Sequence, residues 1–360
     1  MESKHRFPYE WRMADGYPAK GIEAHNSTAF GTFICGGGSS MGYKLAGYHH
    51  LGGVEIDPNI AAIYRENHNP EYLFVEDLRR FNERTDLPKE LYALDLLDGS
   101  PPCSTFSMAG GREGTWGKQK KFAEGQALQT LDDLVFVYCD TILKLQPKCF
   151  LLENVKGLTA GNAKSYVKRV FKKLADGGYD CQLFVCNAAT MGVPQKRERA
   201  FVIGHKKEYV LPKLVLKFDE KPIYFREVID KSDCKNNLTE GEQMHFDNRR
   251  ASDRTMANTR ARVDGKNSGF TRSWVHSDAV CPTLTTTSML LFDFPRKMNE
   301  KEIKLCSTFP LDYKAPSREK QLWMCGMSVP PVMTANIAYE IWRQWIRKIR
   351  EGGNDGRGEN

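Results

Sequence analysis

The chain has 360 residues, 41% hydrophobic and 27% charged, with a formal net charge of +7. That is enough apolar material for a full core, with room for one large domain and a small one. No apolar run approaches the roughly 20 residues that span a bilayer, and Met1 to Lys20 has no signal-peptide core. Ten scattered cysteines without a C-x-x-C pair suggest neither a metal site nor a disulfide framework, and they fit a reducing cytoplasm.

From about Ala29 to Gly204, strand-like apolar runs alternate with helix-like stretches, the rhythm of a parallel α/β sheet. Strands are expected at 28–35, 51–56, 72–75, 91–97, 149–152, 180–187 and 200–204, with helices over 128–145 and 163–175. The first strand runs into Phe33-Ile-Cys-Gly-Gly-Gly-Ser39, where Gly36, Gly37 and Gly38 let the backbone turn sharply towards a ligand at a helix N-terminus. The second ends in Val54-Glu-Ile-Asp57, an acidic side chain about twenty residues on, where nucleoside-binding sheets hold a ribose. A further carboxylate, Asp77, follows the third strand and either accepts a hydrogen bond from an adenine amino group or is a solvated turn carboxylate.

The fourth strand delivers Asp98-Gly-Ser-Pro-Pro-Cys103. Two prolines forbid continuation as strand or helix, so Cys103 is presented at a sheet edge in the manner of a nucleophile. The fifth brings Glu153-Asn-Val155 to the same edge, where a buried carboxylate is costly without a partner or a task. Next, Gln195-Lys-Arg-Glu-Arg199 precedes a strand, and Arg197 and Arg199 share a face if that segment is extended. Between about His205 and Asp278 the alternation is lost, and Arg249, Arg250, Arg254, Arg260, Arg262, Lys266 and Arg272 accumulate. Such a stretch suits phosphate contacts or forms a solvated basic face. Apolar order returns at Cys281–Phe294, and Cys325-Gly-Met-Ser-Val-Pro-Pro331 makes a rigid turn before a helix over Val332–Ile349.

In this order, over about Thr28 to Ile346, the motifs closely resemble those of the DNA cytosine-5 methyltransferase family. The glycine loop, Pro102-Cys103, Glu153-Asn-Val155, Gln195–Arg199, Cys281-Pro-Thr-Leu-Thr285 and Gly326–Pro331 each match a family motif. The resemblance implies a Rossmann-like, S-adenosylmethionine-dependent methyltransferase sheet with a smaller, irregular target-recognition domain. Expected boundaries are 1–204 for the catalytic part, 205–278 for target recognition and 279–360 for the return to the catalytic domain. Expected partners are double-stranded DNA, with no membrane and a monomeric chain; a cognate restriction enzyme in the same system is left open. The expected location is cytoplasmic and DNA-associated.

The resemblance also assigns roles. Cys103 adds to C6 of a flipped cytosine, Glu153 lies near N3, Arg199 near the O2 carbonyl and Arg197 beside the covalent adduct. Phe33, Gly36, Gly37, Gly38, Glu55, Ile56, Asp77, Pro102 and Ser328 hold the cofactor, and no metal is expected. The sequence departs from the family pattern in two places: Cys35 replaces the first glycine of the usual loop, and Met327 replaces the asparagine of the closing motif. A tRNA methyltransferase of the same superfamily would carry a Cys-Phe-Thr element, which is absent. A catalytically silent DNA-binding homologue would have no need of Cys103, Glu153, Arg197 and Arg199. A nicotinamide-dependent oxidoreductase would leave Pro-Cys and Glu-Asn-Val unexplained.

Overall fold

The computed structural model describes residues 5–102, 134–159, 163–263, 265, 272–287 and 289–352. The chain divides into two compact units. One comprises Tyr17–Cys186, Glu198–Lys217 and Thr334–Asn360; the other comprises Met1–Gly16, Asn187–Arg197 and Phe218–Met333.

The first unit alternates β1 (Thr28–Thr32), α1 (Gly38–Leu45), β2 (His49–Val54), α2 (Pro58–His68), β3 (Tyr72–Phe74), α3 (Leu78–Glu83) and β4 (Leu96–Gly99). It continues with α4 (Leu134–Leu145), β5 (Cys149–Val155), α5 (Ala163–Asp176) and β6 (Tyr179–Asn187). After β7 (Gln195–Lys196), which belongs to the other unit, β8 (Glu198–Lys206) closes the sheet. The strand order is β3-β2-β1-β4-β5-β8-β6, parallel from β3 through β5, with β8 antiparallel to β5. The order reverses between β1 and β4, and in open α/β sheets ligands bind at the strand C-termini beside such a reversal. Phe30, Leu97, Phe150 and Val202 from the strands form one core with Phe81, Tyr138, Ile142 and Leu174 from the helices.

Local chemistry sets the boundaries. Helix α2 starts because Pro58 occupies its first turn and the Asp57 carboxylate accepts from the Asn59 and Ile60 N–H groups. The expected strand over 91–97 begins later than its apolar run. Lys89–Tyr92 instead forms a 3₁₀ turn behind Pro88, and pairing starts at Leu96. Asp95 fixes that start, because its buried carboxylate accepts from the Thr28 N–H at 2.8 Å, Lys148 at 2.7 Å and Arg350 at 3.0 Å. Helix α4 is seen from Leu134, and the earlier part of the expected helix lies outside the described residues. The C-terminal helix also differs from expectation. It runs as Pro331–Ile341, a π turn at Trp342–Ile346, and a last helical stretch at Arg347–Gly352.

The second unit is mostly short helices. They are α6 (Glu240–Asp247), α7 (Met256–Val263), α8 (Glu300–Ser307) and α9 (Arg318–Met327). Two ladders accompany them: β7 with β10 (Cys281–Pro282), and β9 (Trp274–Val275) with β11 (Leu290–Leu291). Reciprocal caps start α6 (Thr239 with Glu242) and α8 (Asn299 with Glu302). Phe246, Met256, Trp274 and Leu290 form its small core. The compact units do not follow the boundaries 205 and 278. Residues 205–217 stay with the sheet, where Leu214 and Val215 bond to Gln182 and Gln344, whereas 279–333 stay with the second unit through the β7–β10 pairing.

Candidate active site

Beyond β1 the chain makes an unusual turn. Phe33 and Cys35 take φ values of 55° and 47°, and Gly37 follows at 83°. Non-glycine residues in that region cost on the order of 1–3 kcal/mol each and cluster at functional sites. This explains why glycine is usual where Cys35 stands. Gly37 is irreplaceable for a second reason: a Cβ there would overlap the His68 ring. The loop is tied to β2 by Glu55, whose carboxylate accepts from the Cys35 and Asp57 N–H groups at 3.0 Å each. Burial pushes the Glu55 carboxyl up, and these two N–H groups oppose the shift. Ile56 beside it is half-buried. Asp77 caps α3, accepting from the Arg79 N–H at 2.8 Å and from its guanidinium at 3.2 Å.

At the neighbouring strand ends, Glu153 and Arg199 meet. Register places Glu153 opposite Phe201 and Val155 opposite Arg199, so Glu153 and Arg199 are diagonal neighbours on one face of the sheet. Arg199 Nε lies 2.9 Å from Glu153 Oε1, with the side chains 16% and 13% exposed. Asn154, on the opposite face, is buried and donates to the Pro101 carbonyl at 3.4 Å. It thereby anchors the segment leading to half-buried Pro102; Cys103 itself lies outside the described residues.

Asp98, at the head of the motif that leads to Cys103, is buried at the end of β4. It accepts from the Tyr43 hydroxyl at 3.0 Å. Burial pushes its carboxyl from the usual 3.8 up to about 7, with Glu153 adding to the rise and donors from Tyr43, Ser39 and the Gly99 N–H opposing it. Between those two values the folded chain holds a proton that the unfolded chain has released, so stability falls as pH rises from about 4 and levels off above about 7. Asp98→Asn, which keeps an acceptor for Tyr43, should flatten that part of the profile. Thermal melts from pH 4.5 to 7.5 would show it, and parallel curves for the two proteins would contradict the assignment.

The remaining motifs meet inside the second unit. Arg197 is 2% exposed and donates to the Gly326 and Met327 carbonyls at 2.9 and 3.1 Å. It lies between two ladders, because β7 ends at Lys196 and β8 begins at Glu198. The Gln195 amide is held at both ends, accepting from the Leu284 N–H and donating to the Cys306 carbonyl, both at 3.0 Å. Gly326 packs on the Thr285 carbonyl so closely that a Cβ would meet that oxygen at 2.5 Å. The Ser328 hydroxyl is buried with no partner among the described residues, and Met327 is 46% exposed. Pattern alone marked these segments, but the Gln195 clamp and the Asn154 anchor have no signature in spacing.

The basic stretch separates into two groups. Arg249 bonds the Phe292 carbonyl at 2.6 Å and lies over the Phe246 ring; Arg262 holds the Asp253 carboxylate at 2.6 and 2.8 Å; Arg272 pairs with Glu242 at 2.7 Å. These three side chains are thus tied into the framework of the second unit. Arg250 and Arg254 are exposed, and their guanidinium groups have no partner among the described residues. Arg260 is half-buried on α7, and Lys266 lies outside the described residues. No three His, Cys, Asp or Glu side chains among the described residues are grouped to hold a metal ion, and no described helix is long and apolar enough to cross a membrane.

Residues 30–343 match the family model for C-5 cytosine-specific DNA methylases. The chain belongs to that family. Within the C-5 cytosine-specific methylase family, it is 34% identical over 201 residues to the type II methyltransferase M.NgoPII of Neisseria gonorrhoeae, covering 54% of this chain and 53% of the relative. It is 27% identical over 337 residues to M1.HphI of Haemophilus parahaemolyticus, covering 86% and 85%. The chain spans about half the length of M.NgoPII and 41% of that of M.XorII from Xanthomonas oryzae. The fold matches an Escherichia coli prophage-encoded putative DNA modification methyltransferase with TM-score 0.62 at 19% identity, over 89% of this chain and 99% of that one. A Spodoptera frugiperda DNMT2 variant matches at TM-score 0.62 and 16% identity, over 88% and 100%.

Proposed function

We propose that the chain transfers a methyl group from S-adenosylmethionine to C5 of a cytosine flipped out of double-stranded DNA. The observation that carries this reading is the Glu153–Arg199 pair at the sheet edge, with Asn154 of the same strand anchoring the backbone just ahead of Pro102-Cys103. C5 of cytosine is a weak nucleophile. Addition of the Cys103 thiolate to C6 makes C5 enamine-like and able to take the methyl group; after that transfer, loss of the C5 proton to a base and expulsion of the thiolate restore the ring. Glu153 stabilises the ring at N3 and Arg199 at the O2 carbonyl as charge develops. Arg197 supports this chemistry by holding the turn at Gly326 and Met327.

S-adenosylmethionine supplies an electrophilic methyl group when bound. Within the first unit the residues fit it: a buried carboxylate at Glu55 and a loop at Gly36–Gly38 that admits no Cβ at Gly37; the resemblance adds Ser328 of the second unit, whose hydroxyl has no partner among the described residues. Phe33, Ile56, Asp77 and Pro102 complete the assigned set. Asp77 would have to share its carboxylate with its helix cap. Glu55→Gln should weaken S-adenosylmethionine binding by about 1.5–3 kcal/mol, the worth of a hydrogen bond to a charged acceptor. Calorimetric titration giving an unchanged affinity would remove Glu55 from the ribose site. DNA would lie against Arg250 and Arg254, with target recognition in the second unit.

Incubating the chain with duplex DNA and S-adenosylmethionine, followed by bisulfite sequencing, tests the whole reading. Cytosines in one recurring context should resist conversion. Uniform conversion, or methyl incorporation into tRNA instead, would overturn it.

A further inference from the structure

The second unit holds a cleft of about 350 Å³ lined by Arg254, Ser273, Trp274, His276 and Asp278 among others. Its walls are fixed. The Arg254 N–H donates to Asn258 Oδ1 at 3.2 Å, and its carbonyl accepts from the Trp274 N–H at 3.0 Å. His276 Nε2 lies 2.9 Å from the Asp253 carbonyl, and the ring stacks on Phe292. Two features of the lining stand out against these bonds. Arg254 and Asp278, both exposed, bring opposite charges to the lining of this cleft, yet neither forms an ion pair with the other or with any other described residue. The Trp274 indole N–H, on a ring 1% exposed, also has no partner among the described residues. Arg249, Arg262 and Arg272 show that this unit pairs its arginines internally when they serve the framework.

We propose that this cleft reads one G·C base pair of the substrate duplex from its major-groove edge, with Arg254 on guanine and Asp278 on cytosine; the proposal rests on the DNA-methylating function above. Guanine presents O6 and N7 as two adjacent acceptors that suit a guanidinium fork, and cytosine presents its N4 amino group to a carboxylate. An A·T pair in the same place sets the adenine amino group against the guanidinium and thymine O4 against the carboxylate, so it is rejected by both. Such a couple must stay unpaired with itself to be available, as it is here.

The test is deep bisulfite sequencing of a plasmid library methylated by the wild-type chain, Arg254→Ala, Arg254→Lys and Asp278→Asn. The wild type should require a G·C pair at one flanking position. Arg254→Ala and Asp278→Asn should each relax that requirement by about tenfold or more, both at the same position, with Arg254→Lys retaining part of it. 7-Deazaguanine at that position should slow the wild type and leave Arg254→Ala unaffected. Unchanged contexts, or relaxation at two different positions, would overturn the proposal. Should Arg254→Ala prove unfolded by circular dichroism, the lysine and asparagine variants decide alone. A wild-type chain that methylates no DNA cytosine would instead remove the function and this inference with it.

Discussion

Cys103→Ser should lower methyl transfer to DNA by about four orders of magnitude, the scale on which removal of a covalent nucleophile acts. Addition to C6 requires a thiolate, and a serine hydroxyl is far less nucleophilic at neutral pH. S-adenosylmethionine affinity should be unchanged, because the assigned cofactor contacts do not include this side chain. Duplex DNA with 5-fluorocytosine at the target provides a second measurement, since fluorine cannot leave as a cation and the adduct therefore persists. A denaturing gel should show a shifted band with the wild type and S-adenosylmethionine and none with Cys103→Ser. Turnover by the serine variant comparable with wild type would remove Cys103 from the mechanism.

Glu153→Gln should lower kcat by about 10²–10⁴-fold with little change in the KM for S-adenosylmethionine. The substitution keeps the size of the side chain, and its carbonyl can still accept from Arg199 Nε, which now lies 2.9 Å from the carboxylate. What disappears is the carboxyl's capacity to take up a proton and pass it to N3 as negative charge develops on the cytosine ring. Glu153→Ala is a harsher change, because it leaves Arg199, only 16% exposed, without its partner and costs stability as well as rate. A fall in kcat for the alanine variant alone, with the glutamine variant at wild-type rate, would show that the pair is architectural.

Most of the sheet was legible from the sequence because its central strands are buried on both faces and read as apolar runs. The exception is instructive: in the run 91–97, apolar Leu91 belongs to a turn, and pairing waits for Asp95 to collect its donors from distant residues. No local pattern encodes such a long-range anchor. Motif spacing likewise brought Glu153 and Arg199 to one place, but it carried no sign that Arg197 sits between two ladders and donates to the Gly326 carbonyl. In the basic stretch, charge alone could not separate Arg262, committed to Asp253, from Arg254, which is not; the distinction depends on which carboxylates fold back onto which helix.

The internal commitment of Arg249, Arg262 and Arg272 bears on how such a module diversifies. Because the fold's own cations are anchored on Asp253, Glu242 and ring faces, the exposed positions 250, 254 and 278 can mutate one at a time as ordinary surface sites, each typically within about 0.5 kcal/mol of neutral for stability. On the proposed reading of DNA by these positions, a lineage drifts from one DNA word to another through folded intermediates, without first rebuilding the scaffold that displays the letters.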